Sequence, residues 1–113
     1  MSRRDPSLDR LFTALGDPTR RAVLTRLARG PASVSELAAP HDMALPSFLQ
    51  HLKKLEEVGL ITSTKEGRVR QCVLCPEAFL PVRTWLDEQR DLWARRLDQL
   101  DDYVTTLMKE RTE

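Results

Sequence analysis

Two cysteines stand three residues apart in Cys72-Val73-Leu74-Cys75, the spacing of a thiol redox pair or of half a zinc site. Either chemistry needs both sulfurs on one side of the chain. In an extended segment side chains alternate, so residues 72 and 75 face opposite ways, and only a turn begun before Pro76 would unite them. There is no second C-x-x-C, and His41 and His51 lie far away in sequence. Two small apolar residues at a strand end is the plainer reading. A thiol-sensing role for Cys72 and Cys75 stays as an alternative, and no metal site is assigned.

Catalysis finds even less to work with. Asp87, Glu88, Asp91, Asp98, Asp101 and Asp102 fall along one charged stretch and read as a solvated helix face. Four glycines form no phosphate-cradling loop, and no nucleophile, histidine and acid can be placed together. No catalytic residue and no cofactor is expected, and the chain is read as a non-enzyme.

A third constellation suits a polyanion. Ser47, Gln50, His51, Lys53 and Lys54 crowd into one stretch, and Lys65, Arg68 and Arg70 follow soon after. A glutamine amide can bond an adenine edge or a phosphate, a small hydroxyl fits near a helix start, and lysines and arginines anchor phosphates. Plotted at 100° per residue, Leu45, Phe48, Leu52, Leu55 and Val58 share one side of a helix over about 45–58. Pro46, Ser47, Gln50, Lys53, Lys54 and Glu57 lie opposite, with Leu49 and His51 on the flanks. Such a helix packs through one stripe and offers hydrogen-bonding and cationic groups on the other.

Positioning that helix falls to the elements around it. Leu8, Leu11, Phe12 and Leu15 repeat at helical spacing until Gly16-Asp17-Pro18 stops the run. Asp17 then caps a second helix with Pro18 at its first position. Arg20 near its start is placed on the surface, and Gly30-Pro31 ends it. Ser33-Val34-Ser35-Glu36 reads as a capping box opening a short helix closed by Pro40. After the longer helix, Gly59 breaks the pattern. Residues 60–75 alternate as a two-stranded hairpin turning at Glu66-Gly67, with Lys65, Arg68 and Arg70 about its tip. A last helix spans about 81–108, where Trp93, Leu97, Leu100, Val104 and Leu107 recur at spacings of 4, 3, 4 and 3. That is a coiled-coil-like seam.

The whole chain has 113 residues, 18 Lys and Arg against 17 Asp and Glu, and 5% aromatic residues, the size and composition of one small soluble domain. The net charge of +1 is uneven: residues 1–75 sum to +4 and residues 76–113 to −3. No apolar run is long enough to span a membrane, and the basic start MSRRDPSLDR lacks the apolar run of a signal peptide. A cytoplasmic location is expected. A short capped helix, a turn, an amphipathic helix with a polar outer face and a basic hairpin, in that order, make the layout of a winged helix-turn-helix.

The stretches LFTALGDPTRRAVLTRL, SVSELA, LQHLKKLEEVGLI and KEGRVRQCVL resemble the ArsR family of bacterial winged-helix transcription regulators, over about residues 8–108. The resemblance implies a mainly α fold with a small β-hairpin, one domain over 1–113, dimerising through its N- and C-terminal helices. It implies a recognition helix at about 45–58, a wing at about 60–75 and a dimerisation helix at about 81–108. The DNA-contacting set would be Ser47, Gln50, His51, Lys53, Lys54, Lys65, Arg68 and Arg70. The dimer interface would draw on Leu8, Leu11, Phe12, Leu86, Trp93, Leu97, Leu100, Val104 and Leu107. The partners implied are operator DNA and a second copy of the chain, with the effector unassigned and no membrane. Two departures stand out. Pro46 and Leu49 lie where the family often places polar residues. The two metal sites familiar in the family are absent, since Ser35-Glu36-Leu37 stands in place of a C-x-C and the last helix holds no histidine. The expectation is therefore a repressor without metal sensing. The alternatives are a thiol-responsive repressor and a winged-helix interaction module that no longer reads DNA.

Overall fold

The computed structural model describes residues 6–112. Helix α1 runs Pro6–Leu15 and α2 Pro18–Leu27. Between them Asp17 takes extended backbone angles and its carboxylate accepts from the Arg20 N–H at 3.1 Å, the N-cap expected of an aspartate before a proline. Strand β1, Ala32–Ser33, leads straight into α3, Val34–Ala38. Ser33 ends the one and caps the other: its Oγ accepts from the Glu36 N–H at 3.1 Å while Glu36 reaches back to the Ser33 backbone. Helix α4 spans Leu45–Glu57, strands β2 and β3 span Ile61–Glu66 and Val69–Leu74, and a 3₁₀ turn at Pro76–Phe79 precedes α5, Leu80–Thr112.

The sheet has three strands in the order β1-β3-β2, all antiparallel, rather than the two of a lone hairpin. Ala32 opposes Cys72 and Ser33 opposes Gln71. Two residues are too few to show a period, and their partners lie some forty positions away, so local pattern carries no trace of β1. The hairpin closes on Gly67 and Arg68, with Glu66 opposite Val69. Gly67 has φ +63° and no non-glycine residue has positive φ among the described residues, which suits a two-residue turn with glycine first.

These elements fall into two compact units that divide after Val82. In the first, Phe48, Leu55 and Leu60 are wholly buried, with Val23, Leu37, Ile61 and Cys72 around them. The polar/apolar division of α4 follows the helical plot except at its first turn, where Leu45 is 55% exposed. At the helix start Leu45 lies beyond the reach of the core that Phe48 and Leu52 enter one turn later. Leu11, assigned above to a dimer interface, is 4% exposed and belongs to this same core. It faces α2 and its neighbours because α1 points one apolar residue per turn inward, so it has nothing left to offer a second subunit.

The second unit is the body of α5 from Arg83 onward. This helix begins one residue before the expected start and runs four beyond the expected end, through Thr112. Pro81 in its first turn costs no hydrogen bond there. Arg83 and Arg90 flank Asp87 at 3.8 and 3.3 Å along its surface. Among the described residues no helix is long and apolar enough to cross a membrane.

Candidate nucleic-acid interface

Helix α4 is held at three places. At its entrance the His41 ring stacks on Phe48, with centroids 5.4 Å apart, while the Ser47 and Phe48 N–H groups bond the Ala44 carbonyl. At its exit, Gly59 adopts φ +78°. Its N–H bonds the Glu56 carbonyl and that of Leu60 bonds Leu55, a Schellman closure. The left-handed residue lets the chain leave the helix and deliver buried Leu60 and Ile61 into the core before the hairpin rises.

The third hold is on its flank, where Arg20 sits. The sequence placed this arginine on the surface, yet it is 7% exposed. Its Nε donates to the Ala14 carbonyl at 2.7 Å, one Nη to the Thr13 carbonyl at 3.1 Å, and the other Nη to His51 Nδ1 at 3.1 Å. A guanidinium cannot accept, so His51 receives at Nδ1 and carries its proton on Nε2. Asp17 Oδ2 lies 3.7 Å from the same Nδ1. Partial burial pushes the Asp17 carboxyl up. The bonds from the Arg20 and Thr19 N–H groups and the positive charge nearby outweigh it only together, for a net lowering. One side chain thus satisfies the orphan carbonyls at the end of α1 and pins α4 to α2. His51 is turned into this joint as a helix–helix contact. The signal for it was present: an arginine three residues after an N-cap, with a helix end just before it.

The exposed face of α4 carries Ser47, Gln50, Lys53 and Lys54, but it is divided. Gln50 and Lys53 line a cleft of about 390 Å³ with Arg70 of β3, together with Leu49, Glu56 and Cys72. Lys54 instead borders a depression toward α1, beside Asp9, Arg10 and Glu57. In the hairpin Lys65 and Arg70 are directly opposed partners and Arg68 occupies the turn, all three exposed. Arg70 is tied down as well as exposed. Its Nε donates to Ser63 Oγ at 3.1 Å, and Ser63 donates to Glu56 Oε1 of α4 at 2.6 Å.

Cys72 is wholly buried. Burial raises its pKa, the Glu56 carboxylate pushes it further, and Arg70 only partly opposes them, so it is held as a thiol and away from the thiolate that redox chemistry requires. Cys75 is half-buried beyond the strand end, its Sγ 4.0 Å from Thr62 Oγ1. Among the described residues no three His, Cys, Asp or Glu side chains are grouped to hold a metal ion.

A family model described as a helix-turn-helix domain matches residues 15–64. The HTH-type transcriptional regulator Rv2034 of Mycobacterium tuberculosis is 41% identical over 91 residues, 80% of this chain and 82% of its own. Among solved structures, the ArsR family transcriptional regulator RHA00566 superposes with a TM-score of 0.73 at 58% identity, covering 78% of this chain and 97% of that one. The chain belongs to the ArsR family. The transcriptional repressor SdpR of Bacillus subtilis is also similar, 30% identical over 61 residues, 54% of this chain and 68% of its own. As an ArsR-family protein this chain is a transcriptional regulator with a helix-turn-helix DNA-binding fold, a family and fold of regulators rather than enzymes.

Proposed function

We propose that this regulator is a homodimeric repressor that covers a palindromic operator at a promoter, its own included, in the cytoplasm and without a metal effector. The observation that carries the DNA part is the exposed set Ser47, Gln50 and Lys53 on α4 next to Lys65, Arg68 and Arg70 on the wing. The helix enters the major groove with Gln50 and Ser47 toward base edges, while the wing cations and Lys53 take phosphates. Lys54, on the α1 side, reaches the backbone at the rim, and the Nε2–H of His51 is the one atom of that ring left for a phosphate. Leu49, 40% exposed, suits a thymine methyl.

Self-association is supported by α5, whose Leu86, Trp93, Leu97, Leu100, Val104 and Leu107 are between 42% and 67% exposed. Phe12, at 38%, and half-buried Leu8 extend the candidate surface on α1. Two recognition helices would then meet successive major grooves about 34 Å apart. Repression follows SdpR by likeness. The absence of metal response is supported by an α3 without cysteine and an α5 without histidine.

The test is fluorescence anisotropy against the DNA upstream of its own gene, with a scrambled duplex in parallel at about 150 mM salt, with and without reductant. Tight binding to the promoter alone, at two chains per site, is expected, and Gln50→Ala should erase the preference between duplexes. Weak and equal binding to both, followed by no enriched sequence in a genome-wide selection, would instead favour a protein-interaction module. A reductant-dependent affinity would revive the thiol sensor.

A further inference from the structure

The wing arginine is set by the recognition helix. Glu56 sits on α4 one residue before the helix ends, Ser63 in the middle of β2, and Arg70 on β3 diagonally across from Ser63 on the same face of the hairpin. The three form a directional chain. The Ser63 hydroxyl gives its only proton to Glu56 Oε1 at 2.6 Å and accepts the Arg70 Nε–H at 3.1 Å. A hydroxyl bonded to a carboxylate is polarised, which makes its oxygen a better acceptor. The Arg70 fork therefore has its Nε side occupied, and its two Nη groups form no hydrogen bond among the described residues. That leaves the edge whose paired N–H groups match a phosphate in two-point contact.

We infer that Glu56 and Ser63 are positioning residues, which hold Arg70 with its Nη edge presented for a DNA phosphate and fix that contact relative to α4. The inference rests on the DNA-binding reading. Most exposed arginines must give up their rotamer freedom when they engage a phosphate; here the ordering is already done in the free protein by groups that never touch DNA. Ser63 and Glu56 are half-buried and the bond between them is partly shielded from water, while the Arg70–Ser63 bond is exposed; Arg68, in the turn, has no such tether among the described hydrogen bonds.

Phosphate contacts are independent of sequence, so a random-sequence duplex titrated between about 50 and 200 mM salt suffices as probe. Ser63→Ala should weaken binding roughly fivefold with an unchanged salt slope, because the Arg70 charge remains while its order is lost. Ser63→Thr, which keeps the hydroxyl, should restore it. Arg70→Ala should weaken binding and lower the slope by about one, and adding Ser63→Ala to it should cost nothing more. Independently of DNA, the Arg70 Nε–H should exchange slowly in the free wild-type chain and quickly in Ser63→Ala, with thermal unfolding confirming that each variant folds. An equal Ser63→Ala loss with and without Arg70, or an Arg70 Nε–H that exchanges as fast in wild type as in the variant, overturns the relay. A wild-type chain that binds no duplex at all sinks the DNA reading instead, and the exchange result still decides whether Glu56 and Ser63 order Arg70.

Discussion

Leucine and aromatic residues are treated in opposite ways on the two sides of Val82. Before it, Phe48, Leu55 and Leu60 have no exposed surface, and even an arginine is folded in. After it, Trp93 is 67% and Leu97 59% exposed, and the whole stripe along α5 remains open. The first unit makes its own core from four helices, a sheet and a polar joint. The second is one helix, which has only one side to bury and no element of its own to bury it against. A stripe that regular is what the proposed second copy would cover, while Phe48 and Leu55 are already covered in the single chain.

The sharpest way to break this contrast is to remove the centre of the core. Phe48→Ala should cost about 3–5 kcal/mol in denaturant unfolding, a large part of the stability of a small domain. A Leu97→Glu, Leu100→Glu pair should act differently. Two carboxylates in an apolar seam should weaken self-association by about 100-fold or more in sedimentation. Slow amide exchange around Phe48 and Leu55 should survive the same changes. Collapse of that protection would mean the first unit is not self-sufficient.

Smaller effects probe the polar joint. Arg20→Ala strands the Ala14 carbonyl and takes one of its two partners from that of Thr13, which keeps the Gly16 N–H; it should cost about 1–3 kcal/mol, read in the same unfolding assay, together with a loss of DNA affinity. The Asp17 carboxyl has a lowered pKa in the folded chain against about 3.9 unfolded. Its contribution is therefore whole above pH 4 and lost as the pH falls through the folded value. Asp17→Asn, still an N-cap but uncharged, should lose that contribution at neutral pH and flatten the acid step in a pH series of melts. The mildest test leaves the fold alone: an alkylating reagent should label Cys75 well before buried Cys72, followed by mass spectrometry.

Most of the scaffold was legible from local chemistry. Capping residues at Asp17 and Ser33, the stops at Gly59 and Gly67 and the apolar stripe of α4 act within one or two turns, so their outcome is written in adjacent letters. What escaped was long-range. Strand β1 exists because Ala32 meets Cys72, Arg20 is buried because His51 and the end of α1 converge on it, and Leu11 falls in the core and not in the dimer interface expected for it because a stripe does not say what covers it. The site followed the same rule. Which face of α4 is polar could be read from period alone, but His51 turning inward and Arg70 being tethered through Ser63 depend on which neighbour the fold supplies.

The guanidinium of Arg20 has a consequence for motion. It is bonded at once to the last turn of α1 and to the middle of α4, while its own backbone N–H completes the cap of α2. Opening any one of these helices breaks bonds that belong to the other two, so amides in the last turn of α1, the first turn of α2 and the centre of α4 should exchange with a shared opening free energy. These three helices therefore open as a block and do not fray one at a time.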